Sequence, residues 1–207
     1  MEKKEVIKSL YNDQFKILEA IIKLHVEEKT FDVDLTYGNG GFYKNSLEKP
    51  QHRFDIDSSL SDITKVCNSN ETGLKEKSVN SVVFDPPFLT YIRKQRVGNS
   101  SMVMAKRFSG YWHLDELKQH YKTTIEEAAR ILKHKGIFVI KCQDIVHNHK
   151  LFCTHAEILK WSQSNFRIKD LFIQCATHRM PAPNRKGTQK HARVFHSFWL
   201  VLQRWRK

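Results

Sequence analysis

Apolar residues recur along this chain with two different spacings, which predict helices and strands respectively. Over residues 4–26 they follow one another at intervals of three and four, so one amphipathic helix or two short ones are predicted there. The same spacing predicts a helix over residues 115–132, with Lys135-Gly136 as its C-terminal signal. A further helix is predicted around residues 155–162.

Strands are predicted where apolar residues are continuous or alternate with polar ones. They cover residues 31–35, 52–57, 81–84, 137–140, 167–175 and 194–202. No strand can be assigned within the polar segment 58–78. Strands that alternate with helices and end in a strand pair predict an α/β fold, with a mostly parallel sheet and an antiparallel hairpin at its edge. With 207 residues and no repeat or linker, the chain is expected to be a single domain, residues 1–207, opening with a helical segment over 1–28.

The charge of the chain favours a polyanionic partner. Its net charge at pH 7 is +13, and no Asp or Glu occurs from Leu171 to the end. The segments 89–112 and 176–193 are basic, and the first is long enough to be a lid, so we expect both to hold the phosphates of a nucleic acid. The predicted nucleic-acid-binding residues are Arg93, Lys94, Arg96, Lys106, Arg107, Arg179, Arg185, Lys186, Lys190 and Arg193.

Neither a membrane nor a metal ion is predicted as a partner. No apolar run approaches the roughly 20 residues of a membrane span, and the N-terminus lacks the pattern of a signal peptide. The four cysteines are scattered without a CxxC pair, which is typical of reduced thiols, so a cytoplasmic location is expected. The spacing of His147, His149, Cys153 and His155 matches no standard zinc site.

A glycine-rich turn, DLTYGNGG at residues 34–41, follows the first predicted strand. Glycines at the first strand-to-helix turn of such a sheet let the backbone pass close to an adenosine-bearing cofactor. An acid about 20 residues further on commonly binds the ribose hydroxyls. Asp57 is slightly favoured for that role, or Asp55 if the second strand ends early, because side chains alternate along a strand.

The sequence SVVFDPPF, residues 81–88, ends a buried-looking strand in a carboxylate and two prolines. Proline restricts the preceding residue to extended conformations, so Asp85 and the carbonyl of Pro86 can face one small cavity as two hydrogen-bond acceptors. Two acceptors without a competing donor suit an exocyclic NH2 group, whose nitrogen becomes positively charged when it attacks an electrophile. Phe88 could stack on the base that carries this group.

Together, the glycine loop and DPPF resemble class I S-adenosylmethionine-dependent methyltransferases. Within that class the chain resembles amino-methyltransferases with a [DNS]-P-P-[YFW] tetrapeptide, and its motif order is similar to that of one class of DNA adenine methylases. The stretch from DPPF through GIFVIKCQD and HNHKLFCTH to KHARVFHSFWLVLQ also resembles small phage and prophage DNA methylases. Leu35 stands where proline is usual in the glycine loop. The resemblance implies a Rossmann-like sheet of seven strands and S-adenosylmethionine as the cofactor.

The resemblance also implies roles for particular residues. Asp34, Thr36, Gly38 and Gly40 would line the cofactor pocket, and Asp85, Pro86, Pro87 and Phe88 would form the catalytic tetrapeptide. The favoured activity is methylation of adenine N6 in DNA. Methylation of RNA, at adenine N6 or guanine N2, is the first alternative, and methylation of protein lysine or glutamine is the second. No separate target-recognition domain is visible, so the target sequence is expected to be short or a partner protein to supply its recognition.

Overall fold

The computed structural model describes residues 6–44, 47–90, 111, 113–177 and 189–206. Within these ranges the strands are β1 (Leu10–Tyr11), β2 (Val33–Asp34), β3 (His52–Asp55), β4 (Lys65–Val66), β5 (Val79–Phe84), β6 (Leu132–Cys142), β7 (Ile145–His147), β8 (Lys150–Phe152), β9 (Phe166–Cys175) and β10 (His196–Arg204). The helices are α1 (Gln14–His25), α2 (Leu114–Ile131) and α3 (Thr154–Ser162).

One sheet carries most of these strands, in the order β1-β9-β10-β6-β5-β2-β3-β4. Strands β6, β5, β2, β3 and β4 run parallel to one another, and β10 lies antiparallel between β6 and β9. Strands β7 and β8 form a separate antiparallel hairpin. The predicted α/β fold, with a mostly parallel sheet and an antiparallel hairpin, is therefore confirmed.

The expected number of seven strands was wrong, because the described part of the main sheet has eight. The additional strand is β1, which pairs in parallel with β9 at the edge of the sheet. The backbone N–H of Ile173 donates to the carbonyl of Ser9 at 2.7 Å as part of this contact. Backbone groups on an edge strand need such partners, so two residues of the N-terminal segment are extended rather than helical.

The first helix consequently begins later than the apolar spacing predicts. It starts at Gln14, and the carboxylate of Asp13 caps it by accepting a hydrogen bond from the N–H of Phe15 at 2.9 Å. Its buried residues, among them Ile17 and Ile21, pack on one face of the sheet.

Side chains on the central strands alternate between two cores. In β5, Val82 and Phe84 face the helices α2 and α3, whereas Val83 faces α1 and the glycine loop. In β6, Phe138 joins the first core and Val139 the second. Because both faces are covered there, residues 82–84 of β5 and 137–140 of β6 are continuously apolar, as their sequence predicts.

Two further boundaries differ from those predicted. Strand β4 comprises only Lys65 and Val66, both exposed, so no hydrophobic pattern marks it within the polar segment. Helix α2 ends at Ile131 and β6 begins directly afterwards. The predicted signal at Lys135-Gly136 thus lies inside the strand, where Lys135 rather than Gly136 has a positive φ of 68°.

The central strand β6 should dominate stability. Phe138 is fully buried and its ring centroid lies 5.6 Å from that of Phe166. We expect Phe138→Ala to lower the free energy of unfolding by about 3–5 kcal/mol through lost burial and a cavity. The matched control is Ile168→Ala on β9, where the side chain is 50% exposed and the cost should stay below about 1 kcal/mol. Urea denaturation measures both, and equal costs would contradict this assignment of the core.

Candidate active site

Four ionisable side chains lie where neighbouring parallel strands end. Asp34 ends β2, Asp55 ends β3, Asp85 directly follows β5, and Lys141 is the penultimate residue of β6. The carboxyl ends of parallel strands share one edge of the sheet, and open α/β sheets bind their ligands there. The predicted cofactor and catalytic acids are therefore brought together.

The glycine loop leaves open space beside two of its three glycines, Gly38 and the exposed Gly41. Gly38 and Gly40 both have positive φ values, 56° and 66°. A Cβ built on Gly38 would meet no atom within 4 Å, whereas one on Gly40 would lie 2.7 Å from the hydroxyl of Tyr37. Gly40 is thus required by packing within the loop, and Gly38 borders a space that a ligand could occupy.

The buried carboxylate of Asp34 holds the glycine loop through hydrogen bonds. It is 1% exposed, and its carboxylate accepts hydrogen bonds from the N–H of Thr36 at 2.9 Å and the hydroxyl of Tyr43 at 2.8 Å. Burial raises the pKa of Asp34 to about 7, and the nearby carboxylates of Asp85 and Asp55 add to that shift. The side chain predicted to line the cofactor pocket therefore also holds the loop in shape.

Asp55 and Asp57, the two acids predicted as candidates for the ribose, make different contacts. Asp55 is the last residue of β3, and its carboxylate accepts hydrogen bonds from the N–H of Gly38 at 2.9 Å and of Asp57 at 3.0 Å. The carboxylate of Asp57 instead accepts from the N–H and hydroxyl of Ser59, which lowers its pKa. Because the strand ends at Asp55, the carboxylate beside the glycine loop is that of Asp55.

Asp85 is held by contacts from both neighbouring strands. Its backbone N–H donates to the hydroxyl of Thr36 at 2.8 Å, which ties the DPPF turn to the glycine loop. Its carboxylate, 22% exposed, accepts from the ammonium of Lys141 at 3.1 Å. Burial raises the pKa of Asp85, and the charge of Lys141 opposes that shift. The expectation that no donor competes for this carboxylate was wrong.

The remainder of the tetrapeptide is buried or partly buried. Pro86 is buried, and Pro87 and Phe88 are partly buried. Two residues after Phe88, the hydroxyl of Thr90 lies 3.0 Å from Nδ1 of His147.

Most of the predicted nucleic-acid-binding residues lie outside the described part of the chain. These are Arg93, Lys94, Arg96, Lys106, Arg107, Arg179, Arg185 and Lys186. Thr90 and Tyr111 form an isolated β-bridge, which places Tyr111 beside the segment that follows DPPF. Lys190 is exposed, and the guanidinium of Arg193 lies 5.6 Å from the centroid of the Phe195 ring.

The histidine-rich segment makes separate pairs. Nδ1 of His155 lies 2.8 Å from a carboxylate oxygen of Asp144, while His147 contacts Thr90. Across the described ranges, no three His, Cys, Asp or Glu side chains are placed to hold a metal ion. No helix in those ranges is long and apolar enough to cross a membrane.

Lys141 and Tyr43 were not assigned roles by sequence reasoning. Lys141 was recognisable only as a polar residue at the end of a predicted strand. Two signals could have placed Lys141 beside Asp85. Alternation along β6 puts Lys141 on the same face as Val139. Parallel pairing puts Ile140 opposite Phe84, so the next residues, Lys141 and Asp85, are neighbours. For Tyr43 the sequence carries no comparable signal.

No protein-family model and no curated protein matches this chain. Solved structures do match it. A chain from the complex between the Haloferax volcanii Trm112 methyltransferase activator and a candidate methyltransferase has a TM-score of 0.55 at 18% identity, covering 90% of this chain and 87% of that one. The N-methyltransferase NodS from Bradyrhizobium japonicum has a TM-score of 0.55 at 8% identity, covering 93% and 97%. The chain therefore has the fold of these methyltransferase structures.

A candidate DNA modification methylase from Thermus thermophilus, complexed with S-adenosyl-L-methionine, gives a TM-score of 0.42 at 20% identity. The match covers 67% of this chain and 53% of that one, so the chain spans about half the length of the Thermus protein.

The raised pKa of Asp34 predicts a pH-dependent stability. Its value rises from 3.8 to about 7 in the fold, so the folded state holds the proton more tightly than the unfolded chain. The stabilisation is full below about pH 4 and is lost as the pH rises through 7. Asp34→Asn keeps a neutral side chain of the same shape.

Relative to Asp34→Asn, we expect the unfolding free energy of the wild type to fall by up to roughly 4 kcal/mol between pH 4 and pH 8. Urea denaturation at a series of pH values measures this difference. A difference that is constant with pH would show that Asp34 is ionised throughout.

Proposed function

We propose that this chain methylates an exocyclic amino group of a nucleobase from S-adenosylmethionine, with adenine N6 in DNA as the favoured target. The observation that carries the proposal is the position of Asp85, directly after β5. Its backbone N–H donates to Thr36 of a glycine loop that has open space beside Gly38. The binding sites of the methyl donor and of the amino group that receives the methyl would then be adjacent. The shared fold with methyltransferase structures supports this arrangement.

The cofactor would lie over the glycine loop. Gly38 provides room for the adenosine, and Asp55, beside it, would accept hydrogen bonds from the ribose hydroxyls. A carboxylate has about four lone-pair sites, so Asp55 can bind the ribose while keeping its two backbone donors. When bound, S-adenosylmethionine would supply an electrophilic methyl group.

Asp85 would act on the amino group that receives the methyl group. The lone pair of such a nitrogen is conjugated with the base and is a weak nucleophile. A hydrogen bond to Asp85, and a second to the carbonyl of Pro86, would favour a pyramidal nitrogen and offset its developing positive charge. No strong base is required, because the methylated nitrogen readily loses a proton to water.

A nucleic acid is the substrate that the charge of the chain favours. The amino group of a paired adenine is inaccessible, so the base would have to leave the duplex and enter the pocket, with Phe88 stacked against it, at a cost of a few kcal/mol. Basic residues of segments 89–112 and 176–193 would bind the flanking phosphates. The net charge of +13 argues against a protein substrate, and the choice of DNA over RNA rests on the resemblance to phage DNA methylases.

Cofactor binding can be tested without a methyl acceptor. Gly38→Arg should abolish binding of S-adenosylmethionine, because the side chain would fill the open space at a strained φ. Asp55→Ala should weaken binding about 10- to 100-fold, the effect of losing hydrogen bonds to a charged acceptor. Asp57→Ala is the matched control and should bind as the wild type does. Calorimetry measures all four proteins, and absence of binding to the wild type would refute the cofactor assignment.

The role of Asp85 can be tested with two substitutions. Asp85→Ala should lower the single-turnover rate of DNA methylation by roughly two to three orders of magnitude, the usual effect of removing one preorganised charge-stabilising group. Asp85→Asn should keep more activity than alanine, since its carbonyl oxygen still accepts one hydrogen bond. Rates are compared at saturating cofactor and per cofactor-binding molecule, which removes any loss of folded protein. A normal rate for Asp85→Ala would show that DPPF is a structural turn without a catalytic role.

A further inference from the structure

The side chain of Lys141 is largely buried, and its ammonium group is surrounded by polar and aromatic side chains. Its side chain is only 13% exposed. The ammonium lies 3.1 Å from Oδ2 of Asp85 and 3.4 Å from Oε1 of Gln14. It also lies 5.2 Å and 5.0 Å from the ring centroids of Phe42 and Trp199, within the range of a cation–π interaction. Four separate segments of the chain therefore fix one positive charge.

The sheet register determines where this charge is held. Lys141 pairs with Trp199 on β10, and the preceding residue, Ile140, pairs with Phe84 on β5. Residues 85, 141 and 199 consequently form a row across three strands on the face that also carries Val139 and α1. The position of the ammonium beside Asp85 is therefore set by backbone pairing, and the aromatic rings limit how far it can move.

Among the described residues, a donor contacts only one of the two carboxylate oxygens of Asp85. Lys141 donates to Oδ2, and within the described ranges no hydrogen bond to Oδ1 is present. A protonated carboxyl group would present a donor where the amino group needs an acceptor. Burial favours that protonated form, and a nearby cation disfavours it.

We propose that Lys141 is a positioning residue of the active site: it keeps the Asp85 carboxylate ionised and bound through one oxygen, so that the other oxygen accepts a hydrogen bond from the target amino group. The catalytic consequence rests on the function proposed above. The ionisation of Asp85 does not, and it can be measured in the protein alone.

Other groups near Asp85 do not replace this cation. Asp34, on β2, is acidic and disfavours a second negative charge nearby. The thiol of Cys142 on β6 and the hydroxyl of Tyr121 on α2 both have pKa values raised by burial and by Asp85, so they are neutral at physiological pH. Within the part of the chain that the structure describes, Lys141 is the cation that contacts Asp85 and favours its ionised form.

The first test follows the titration of Asp85 by NMR of carboxyl-labelled aspartate, assigned with Asp85→Asn, in the absence of cofactor and substrate. In Lys141→Met the Asp85 midpoint should move to higher pH by about one unit or more, as expected for loss of an adjacent cation. Lys141→Arg should restore a midpoint near that of the wild type. Lys122→Met removes a lysine that lies 5.3 Å from the Trp161 ring on the other face, and serves as the matched control.

Lys141→Gln, which keeps a hydrogen-bond donor without the charge, provides a second neutral variant if methionine prevents folding. An unchanged Asp85 midpoint in a folded neutral variant would overturn the proposal.

The second test is the pH profile of single-turnover methylation. The acidic limb should move to higher pH in the neutral variants by the same amount as the NMR midpoint, with arginine restoring it and cofactor affinity unchanged. A faster rate at neutral pH without Lys141 would overturn the proposal, since it would show that the lysine competes with the substrate. If the wild type methylates nothing, the proposed function fails, and the NMR titration still decides whether Lys141 holds Asp85 ionised.

Discussion

A carboxylate at the end of a central strand can stay ionised away from bulk water only if donors and a positive charge surround it. In this chain that carboxylate belongs to Asp85, and Lys141 provides the charge at 3.1 Å. The pair joins β5 to β6. Through Gln14, Phe42 and Trp199 the same ammonium also contacts α1, the segment after the glycine loop, and β10. The geometry of the proposed active site is thus fixed by the same contacts that join the ends of the sheet.

The glycine loop depends on a second carboxylate, that of Asp34, whose surroundings differ from those of Asp85. Asp34 is more deeply buried than Asp85 and has no ion-pair partner within the described ranges; its oxygens accept from Thr36 and Tyr43. Its pKa is raised to about 7, whereas the shift at Asp85 is opposed by Lys141. Two acids at the ends of adjacent strands thus have different surroundings: Asp34 is bound within the glycine loop, and the partly exposed Asp85 is paired with Lys141.

Local sequence patterns predicted the parts of this structure that depend on local physics. Continuous apolar runs identified β5, β6 and β10, because strands covered on both faces must be apolar throughout. Glycines and prolines identified the two turns. The short strands β1 and β4 were missed, since Leu10 and Val66 are exposed and gain order only from backbone pairing with a neighbouring strand. The contact between Lys141 and Asp85 was missed for the same reason, because it depends on the register between two strands.

The central claim is that this edge of the sheet transfers a methyl group to an amino nitrogen of a nucleobase. The most direct test is mass spectrometry of nucleosides and peptides after incubation with S-adenosylmethionine that carries a trideuterated methyl group. Unmethylated DNA, RNA and protein are supplied as separate pools. The predicted product is trideuterated N6-methyldeoxyadenosine from DNA, and label at an amino group in RNA alone would place the same chemistry on the other nucleic acid. Label only in protein, or no label in any pool, would contradict the claim.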